Sequence, residues 1–440
     1  MNKRQKLITS FMLFSLFFGA GNLIFPPLLG HSAGHQMPWA MVGFIITAVI
    51  LPVLGVVVVA KFDGLQKLAN KVHPIFSIIF TILIYVSIGP GLGIPRAASV
   101  PFEMAIAPYI SNKDYLWIYM LIFSLVFFAI AAFVASTPSK LLNRIGKFLT
   151  PALLLLMLVT FITYLVKGPH DVITVPLESY QNNAFTQGFL DGYQTMDTIA
   201  ALNFGLVIST TIQTFSVKKE DEGKYILICG TFAGLILTSI YIMLAYMGMS
   251  FGNNIVDPAN GAVILRAITY SLFGEFGAVL LASIFLLACL TTCIGLITSI
   301  SQFFSTLYPK LKYHYLVIGI SLFSFIICNQ GLNFILDISV PVLNTIYPIS
   351  IMLIILGLFD KFYKNNKIIY PLTISLVGIM SIIFVLDGYL NYGAFSKVVK
   401  NIPLYGSGLG WVTFAATGVV SGVIIDNIIK IVSKKHNVLN

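Results

Sequence analysis

The sequence predicts an all-α, polytopic membrane protein, and three observations predict it. Of its 440 residues, 58% are hydrophobic and only 10% charged, with a mean hydropathy of +0.92. A soluble domain carries about 25% charged residues to keep its surface hydrated, so lipid has to be the solvent for most of this chain. Apolar runs of about 20 residues, the length a helix needs to cross the hydrocarbon core, recur from one end of the chain to the other. Lys and Arg, finally, concentrate in every second connection between those runs.

Taken in order, the runs fall near 7–29, 38–60, 74–98, 115–135, 147–166, 191–215, 225–249, 277–305, 314–329, 335–359, 368–387 and 408–430, which predicts twelve transmembrane helices in one membrane domain, 1–440. The stretch 251–280 has room for a short helix that does not span. With the N-terminus in the cytoplasm, the inside segments hold 20 of the 26 basic residues. They include Lys3, Arg4 and Lys6 before the first span, Lys61, Lys67 and Lys71 after the second, and Lys140, Arg144 and Lys147 after the fourth. Lys361, Lys364 and Lys367 follow the tenth span, and Lys430, Lys434 and Lys435 close the chain. Arg96, Lys113, Lys167, Arg266, Lys397 and Lys400 make up the remainder. A missed or invented span would invert every later loop and destroy this alternation, so the pattern predicts both the count and cytoplasmic termini. It also accounts for the net charge of +10 without nucleic acid, because basic loops lie beside anionic headgroups.

Other readings of local features are weaker. Met1 to Lys6 and the run behind it superficially resemble a signal peptide, but Pro26-Pro27 stands where a small-residue cleavage site belongs. Cys229, Cys289, Cys293 and Cys328 all lie in apolar stretches without CxxC spacing, so they read as packing residues rather than disulfides or zinc ligands. His31 and His35 are four apart but have no acidic or Cys neighbour, and no HExxH motif accompanies them. An intramembrane enzyme therefore lacks a catalytic constellation. A channel lacks a repeated pore-loop filter.

Two spans fit the bilayer badly. In the first, Phe17-Phe18-Gly19-Ala20-Gly21-Asn22 puts two glycines and an asparagine at mid-depth, a composition suited to unwinding. Unwound backbone is tolerated there only if it is buried in protein or lines a wet cavity, and amides opening the outer half-helix would favour an anionic group. Close helix packing through small residues is the competing explanation. The sixth span carries Asp197, Asn203 and Gly205. Intramembrane carboxylates mark ion or substrate paths, although Asp197 sits near the outer end and is expected to be wet. Spans one and six are five helices apart and enter from opposite sides. Interrupted helices at matching places of inverted halves point to a transport site at the midplane. The halves are 1–167 (spans one to five) and 191–359 (spans six to ten), with 360–440 adding two more helices. In span eight, Ala288 and the pair Thr291-Thr292 offer hydroxyl oxygens for a small cation; internal hydrogen bonding of those hydroxyls is the alternative. Span three holds Gly89-Pro90 through Ile94-Pro95-Arg96, and Arg96 lies seven residues before Glu103. That spacing predicts a structural pair or a gate.

Phe18-Gly19-Ala20-Gly21-Asn22-Leu23-Ile24-Phe25-Pro26-Pro27, Gly89-Pro90 with Ile94-Pro95-Arg96, and Asp191-Gly192-Tyr193 with Thr195-Met196-Asp197 resemble a bacterial branched-chain amino acid carrier of the BrnQ type. This is the LIVCS family of the amino acid–polyamine–organocation superfamily, which is similar to the LeuT fold with its 5+5 inverted repeat. The resemblance covers essentially the whole chain. It implies a symporter for leucine, isoleucine and valine in the bacterial cytoplasmic membrane, with no organic cofactor and no obligate protein partner. It implies that the backbone at Gly19, Ala20, Gly21 and Asn22 holds the substrate carboxylate. An unwound stretch of span six from Ile199 to Phe204, including Ala200, Ala201 and Asn203, would hold the ammonium, with Phe204 against the side chain. A cation would lie between spans one and eight on oxygens of Ser15, Phe18, Ala288, Thr291 and Thr292; the Ala-x-x-Thr-Thr spacing matches the Ala-x-x-Thr-Ser pattern of sodium-coupled relatives. Leu16-Phe17-Phe18 departs from the second Gly/Asn-rich stretch of neurotransmitter-type relatives, which weakens a second sodium site. Sodium is the expected coupling ion, and a proton relay through Asp197 is the alternative. A carrier of the same fold for another small zwitterion or a purine-like solute is the competing transporter reading.

Overall fold

The computed structural model describes residues 1–137, 149–169, 172, 175–255, 258, 260–363, 366–390, 399 and 401–439. Lys140, Arg144, Lys147, Lys364, Lys397 and Lys400, which entered the topology argument, lie outside the described residues, as does the start of the fifth predicted span. The described residues form helices and turns without a strand. Helix α1 (Lys3–Phe17) opens on a capping box between Asn2 and Gln5. After two extended residues, Phe18 and Gly19, α2 (Ala20–Ala33) continues the first predicted span. The second comprises α3 (Met37–Ile45) and α4 (Leu51–Lys61), joined through a π-turn at Ile46–Ile50; Pro52 has no N–H to continue the regular ladder there. The third is α5 (Pro74–Val86) and α6 (Gly93–Ala105), broken at Gly89, whose φ −89° and ψ −127° are not helical.

Then come α7 (Leu116–Ala135), α8 (Thr150–Lys167), α9 (Ala184–Asp191), α10 (Asp197–Gln213) and α11 (Lys219–Ser250), the last with Glu220, Asp221 and Glu222 at the positive end of its dipole. The non-spanning helix expected between 251 and 280 is α12 (Gly261–Phe273). The chain ends with α13 (Glu275–Leu307), α14 (Tyr313–Cys328), α15 (Leu332–Leu358), α16 (Ile369–Leu390) and α17 (Gly410–Leu439).

Nine of the described helical stretches are long and apolar enough to cross a membrane, or ten if the bent pair Ala184–Thr195 and Asp197–Gln213 is one span. This falls short of twelve for two physical reasons. Helices α1 and α14, at 15 and 16 residues, are short of a full crossing on their own. Residues Ala20–Lys61 also run on as one helical stretch through a turn at Gly34, whose φ of 49° only glycine adopts without strain.

Small residues set the packing that positions the centre. A Cβ on Gly30 would lie 1.9 Å from the Ala245 carbonyl oxygen, and one on Gly248 2.0 Å from that of Pro27, so α2 and α11 meet backbone to backbone. Gly188 against Ala40 and Gly43 against Phe185 do the same for α9 and α3, at 1.9 and 2.0 Å. Helix α1 also runs along α11, and α10 along α4. Around this core the perimeter is apolar: Trp117, Phe133, Val166 and Phe276 are among many large side chains left exposed, the inverse of a water-facing surface.

Three loops assigned by their basic residues to one side of the membrane do lie together. Asp63 pairs with Lys67 (3.5 Å) and with Lys219 (2.5 Å), joining the loop after α4 to the start of α11. Lys71 pairs with Asp360 (3.2 Å) beyond the end of α15, and Lys61 donates to the Gly357 carbonyl (2.8 Å).

Candidate functional site

The breaks in the first and sixth spans lie side by side in the middle of the bundle. Phe18 (ψ 90°) and Gly19 (φ −120°, ψ −158°) are extended, so the last carbonyls of α1 and the first amides of α2 lose their helical partners. The Gly19 amide is capped by Asn22 Oδ1 at 2.9 Å. The first-turn amides of Ala20 and Gly21 stand at a narrow cavity of about 30 Å³ that Gly19, Ala20 and Gly21 line. In the sixth span Gly192–Thr195 tightens to a 3-10 turn, Met196 adopts the left-handed region (φ 67°, ψ 9°), and α10 departs with a 46° bend. A methionine there is uncommon and mildly strained.

Both breaks are tied to one carboxylate. Asn22 Nδ2 donates to Asp197 Oδ2 at 2.6 Å and also to Tyr241 Oη, while Tyr241 Oη–H reaches Asp197 Oδ2 at 3.2 Å. Asn22, Asp197 and Tyr241 are all buried. Asp197 is thus not the wet outer residue expected from its position: the 3-10 turn carries the chain inward before α10 begins. Arg96, also buried, lines the same cavity and donates Nη1–H to the Gln194 carbonyl at 3.1 Å. It does not pair with Glu103; no ion pair joins them among the described residues. Seven residues is two turns along a helix, but Arg96 is turned to the broken span.

Between α1 and α13 the expected oxygens converge. Thr291 Oγ1 lies 2.9 Å from the Ala288 carbonyl and 3.3 Å from that of Ser15; Thr292 Oγ1 lies 3.2 Å from Ser15 O and 3.1 Å from Phe18 O. The Ser15 hydroxyl oxygen is buried there without a hydrogen-bond partner. The cluster contains no carboxylate, and a Cβ on Gly19 would come within 3.2 Å of Thr292 Oγ1, so the first break and the threonine pair are in contact.

The expected unwinding from Ile199 to Phe204 is corrected: those residues belong to regular helix within α10, and the break is at Gln194–Met196. Their carbonyls are spent in the helical ladder. Of that stretch Ala200 lines the cavity. Asn203 Oδ1 accepts from Ser299 Oγ, Phe204 packs edge-on against Phe17 at 5.8 Å, and Ile199 and Ala201 are buried in helix packing. The resemblance placed the break too far along the span, and no residue type in the sequence marks a left-handed methionine.

A family model described as "Branched-chain amino acid transport protein" matches residues 2–429. The chain belongs to that family. Two permeases of Bacillus subtilis (strain 168) are similar to this family member over nearly its full length. The branched-chain amino acid permease BraB is 39% identical over 429 residues, covering 96% of this chain and 95% of BraB. The branched-chain amino acid permease BrnQ is 38% identical over 435 residues, covering 95% and 96%. Among solved structures, Mhp1, a nucleobase-cation-symport-1 family transporter in a closed conformation with bromovinylhydantoin bound, is similar in fold. Its TM-score is 0.60 at 12% identity, covering 98% of this chain and 93% of that one. A manganese transporter of Eremococcus coleocola, in complex with an aromatic bis-isothiourea substituted compound, gives 0.56 at 13% identity, covering 96% and 95%. The resemblance drawn from the three motifs is therefore borne out, and this family member is a membrane transporter and not an enzyme.

Tyr241 and Gln194 are the residues at this site that the motifs missed in this transporter. A tyrosine in an apolar run carries a hydroxyl that must find a partner, which is a signal, but three tyrosines share that run and its flank.

Proposed function

We propose that this chain is a cation-coupled symporter that imports leucine, isoleucine and valine by alternating access across the bacterial cytoplasmic membrane, with both termini inside. The observation that carries this reading is that two broken helices meet at one cavity, and that the first of them touches a carboxylate-free oxygen cluster. The opening amides of α2 at Ala20 and Gly21 hold the substrate carboxylate. Carbonyls freed at Gln194–Met196, rather than those of Ile199 to Phe204, receive its ammonium, and Phe17, Ile88 and Ala200 take the apolar branch. Such a surface distinguishes one methylene by only about 1–3 kcal/mol, so one carrier serves all three amino acids.

Sodium is the coupling ion on this reading. It sits on the carbonyls of Ser15, Phe18 and Ala288 and the hydroxyls of Thr291 and Thr292, whose protons turn outward to free lone pairs. A cation descending 100 mV contributes about 2.3 kcal/mol, enough to concentrate a neutral solute. The packing supports twelve spans arranged as an inverted five-helix repeat plus two: both halves of the first span lie along α11, and both halves of the sixth along α3 and α4. An axis in the membrane plane that exchanges spans one and six also exchanges these contacts. In this arrangement the cavity is large enough for water, not for leucine, so entry requires the two breaks to separate.

Labelled leucine uptake into proteoliposomes tests this, with a sodium gradient or a proton gradient alone. Sodium should drive uptake in the wild type, and Thr292→Ala should raise the half-saturating sodium concentration by about tenfold for one lost oxygen. Uptake driven by protons alone, with Thr292→Ala silent, would remove the sodium site; ohmic flux insensitive to both gradients would remove the symporter.

A further inference from the structure

A second cavity lies beside the break in the sixth span. It has a volume of about 210 Å³ and lies between the 3-10 turn Gly192–Thr195, α15, α16 and α17. One charged group enters it. Asp191 is half-buried, accepts from Gln187 Nε2 at 2.9 Å and from Tyr180 Oη, and has no basic side chain within ion-pair distance among the described residues. A carboxylate at a cavity wall with no basic partner is a ready counter-charge for a cation. Facing it are the apolar side chains of Leu190, Met380, Phe384 and Trp411. The cavity shares a wall with the central site: Tyr193 lines it and stacks on Tyr347 at 4.3 Å, while the Gln194 carbonyl takes Arg96 from the other side and Thr195 lines the inner cavity.

We propose that this cavity is a second ligand site, taking a primary ammonium carried on a short branched apolar chain, with Asp191 as its counter-charge. The transported amino acid and a simple amine share that chemistry. For an amino acid the site is a station next to the central one, which is the part that rests on the transport reading above. Occupancy presses on the turn that ends in Met196, so the two sites are mechanically adjacent.

The probe is 3-methylbutylamine, which keeps the ammonium and the branch but lacks the carboxylate that the α2 amides would hold. Trp39 and Trp117 are both exposed, so Trp39→Phe/Trp117→Phe leaves Trp411 as the sole indole of the three in the chain. In that background, in nanodiscs, the amine should shift Trp411 emission saturably. Asp191→Asn, which preserves shape, keeps an acceptor for Gln187 and can donate its amide to the Tyr180 oxygen, should weaken the response at least about tenfold, as expected for a charge-assisted hydrogen bond. In proteoliposomes the amine should inhibit leucine uptake, and Asp191→Asn should relieve the inhibition and raise KM while leaving Vmax in place. A lowered Vmax with unchanged KM would mean a structural role and overturn the site, as would an amine response equal in both proteins or absent from the wild type. Leucine shifting Trp411 with the same Asp191 dependence marks the amino acid as an occupant, and a response to the amine alone marks an amine site; both uphold it. If the wild type takes up no leucine, the transport reading falls, and the fluorescence titration still decides the cavity.

Discussion

Replacing Asn22 with leucine tests the joint between the two broken helices. The side chains share a branched skeleton with the same number of heavy atoms, leucine being the bulkier, while three hydrogen bonds vanish: the cap on the Gly19 amide (2.9 Å), the bond to Asp197 (2.6 Å) and the bond to Tyr241. Side-chain hydrogen bonds inside membrane proteins average about 0.6 kcal/mol, because the separated helices find other partners. Three of them amount to about 2 kcal/mol, or roughly thirtyfold in an equilibrium constant. That energy holds the breaks in register, so leucine KM should rise roughly thirtyfold in proteoliposome uptake. Tyr241→Phe removes the donor to Asp197 and the acceptor from Asn22, so it should cost about 1 kcal/mol, roughly fivefold. Because Asn22 and Tyr241 share a bond, the double variant should cost less than the two singles combined. Wild-type KM in Asn22→Leu, at normal abundance and thermal midpoint, would refute the claim that this network positions the site.

Arg96→Lys should abolish most transport, because a point ammonium cannot reproduce the planar guanidinium bond to the Gln194 carbonyl from the same backbone position. Glu103→Gln should leave uptake near wild type, since Arg96 does not contact it; equal loss in both would restore the pair that the spacing suggested. Gly30→Ala places a Cβ 1.9 Å from the Ala245 oxygen, so it should lower the thermal midpoint through at least about 1–3 kcal/mol of overpacking, and an unchanged midpoint would contradict the α2–α11 contact. A hydrogen bond from Lys219, together with its charge and that of Lys67, holds the Asp63 carboxyl below the usual carboxylate range. A lowered folded value stabilises above the unfolded pKa of about 3.9 and is lost as pH falls through the folded value. Asp63→Asn, which tolerates the positive φ of 53° there, should therefore destabilise by less than about 1 kcal/mol at pH 7, the pair being half exposed. The difference from wild type should shrink below about pH 4; a difference growing with acid would reverse the sign.

The first break was legible because glycine and asparagine in an apolar run have few other uses, and the helix does open there, at Phe18 and Gly19. The oxygen cluster was legible through Thr291-Thr292, since two adjacent hydroxyls in an apolar span offer oxygens there. The sixth-span break was misplaced by several residues: Met196 reaches its left-handed conformation through the packing around it, not through any preference of its own.

By itself the sequence determined that this chain lives in lipid, that its loops alternate in charge, and that polar groups sit at depth in spans one, six and eight. These are sums over composition and local spacing, and they survive without knowing what touches what. Only the tertiary structure decided that Asp197 is buried on Asn22 and Tyr241, that Arg96 serves Gln194 rather than Glu103, and that Asp191 opens on a cavity of its own. The physical reason is that a buried polar group costs free energy until it is partnered. Its partner is whichever helix the fold brings within 3 Å, from as far as 219 residues away in the case of Asn22 and Tyr241.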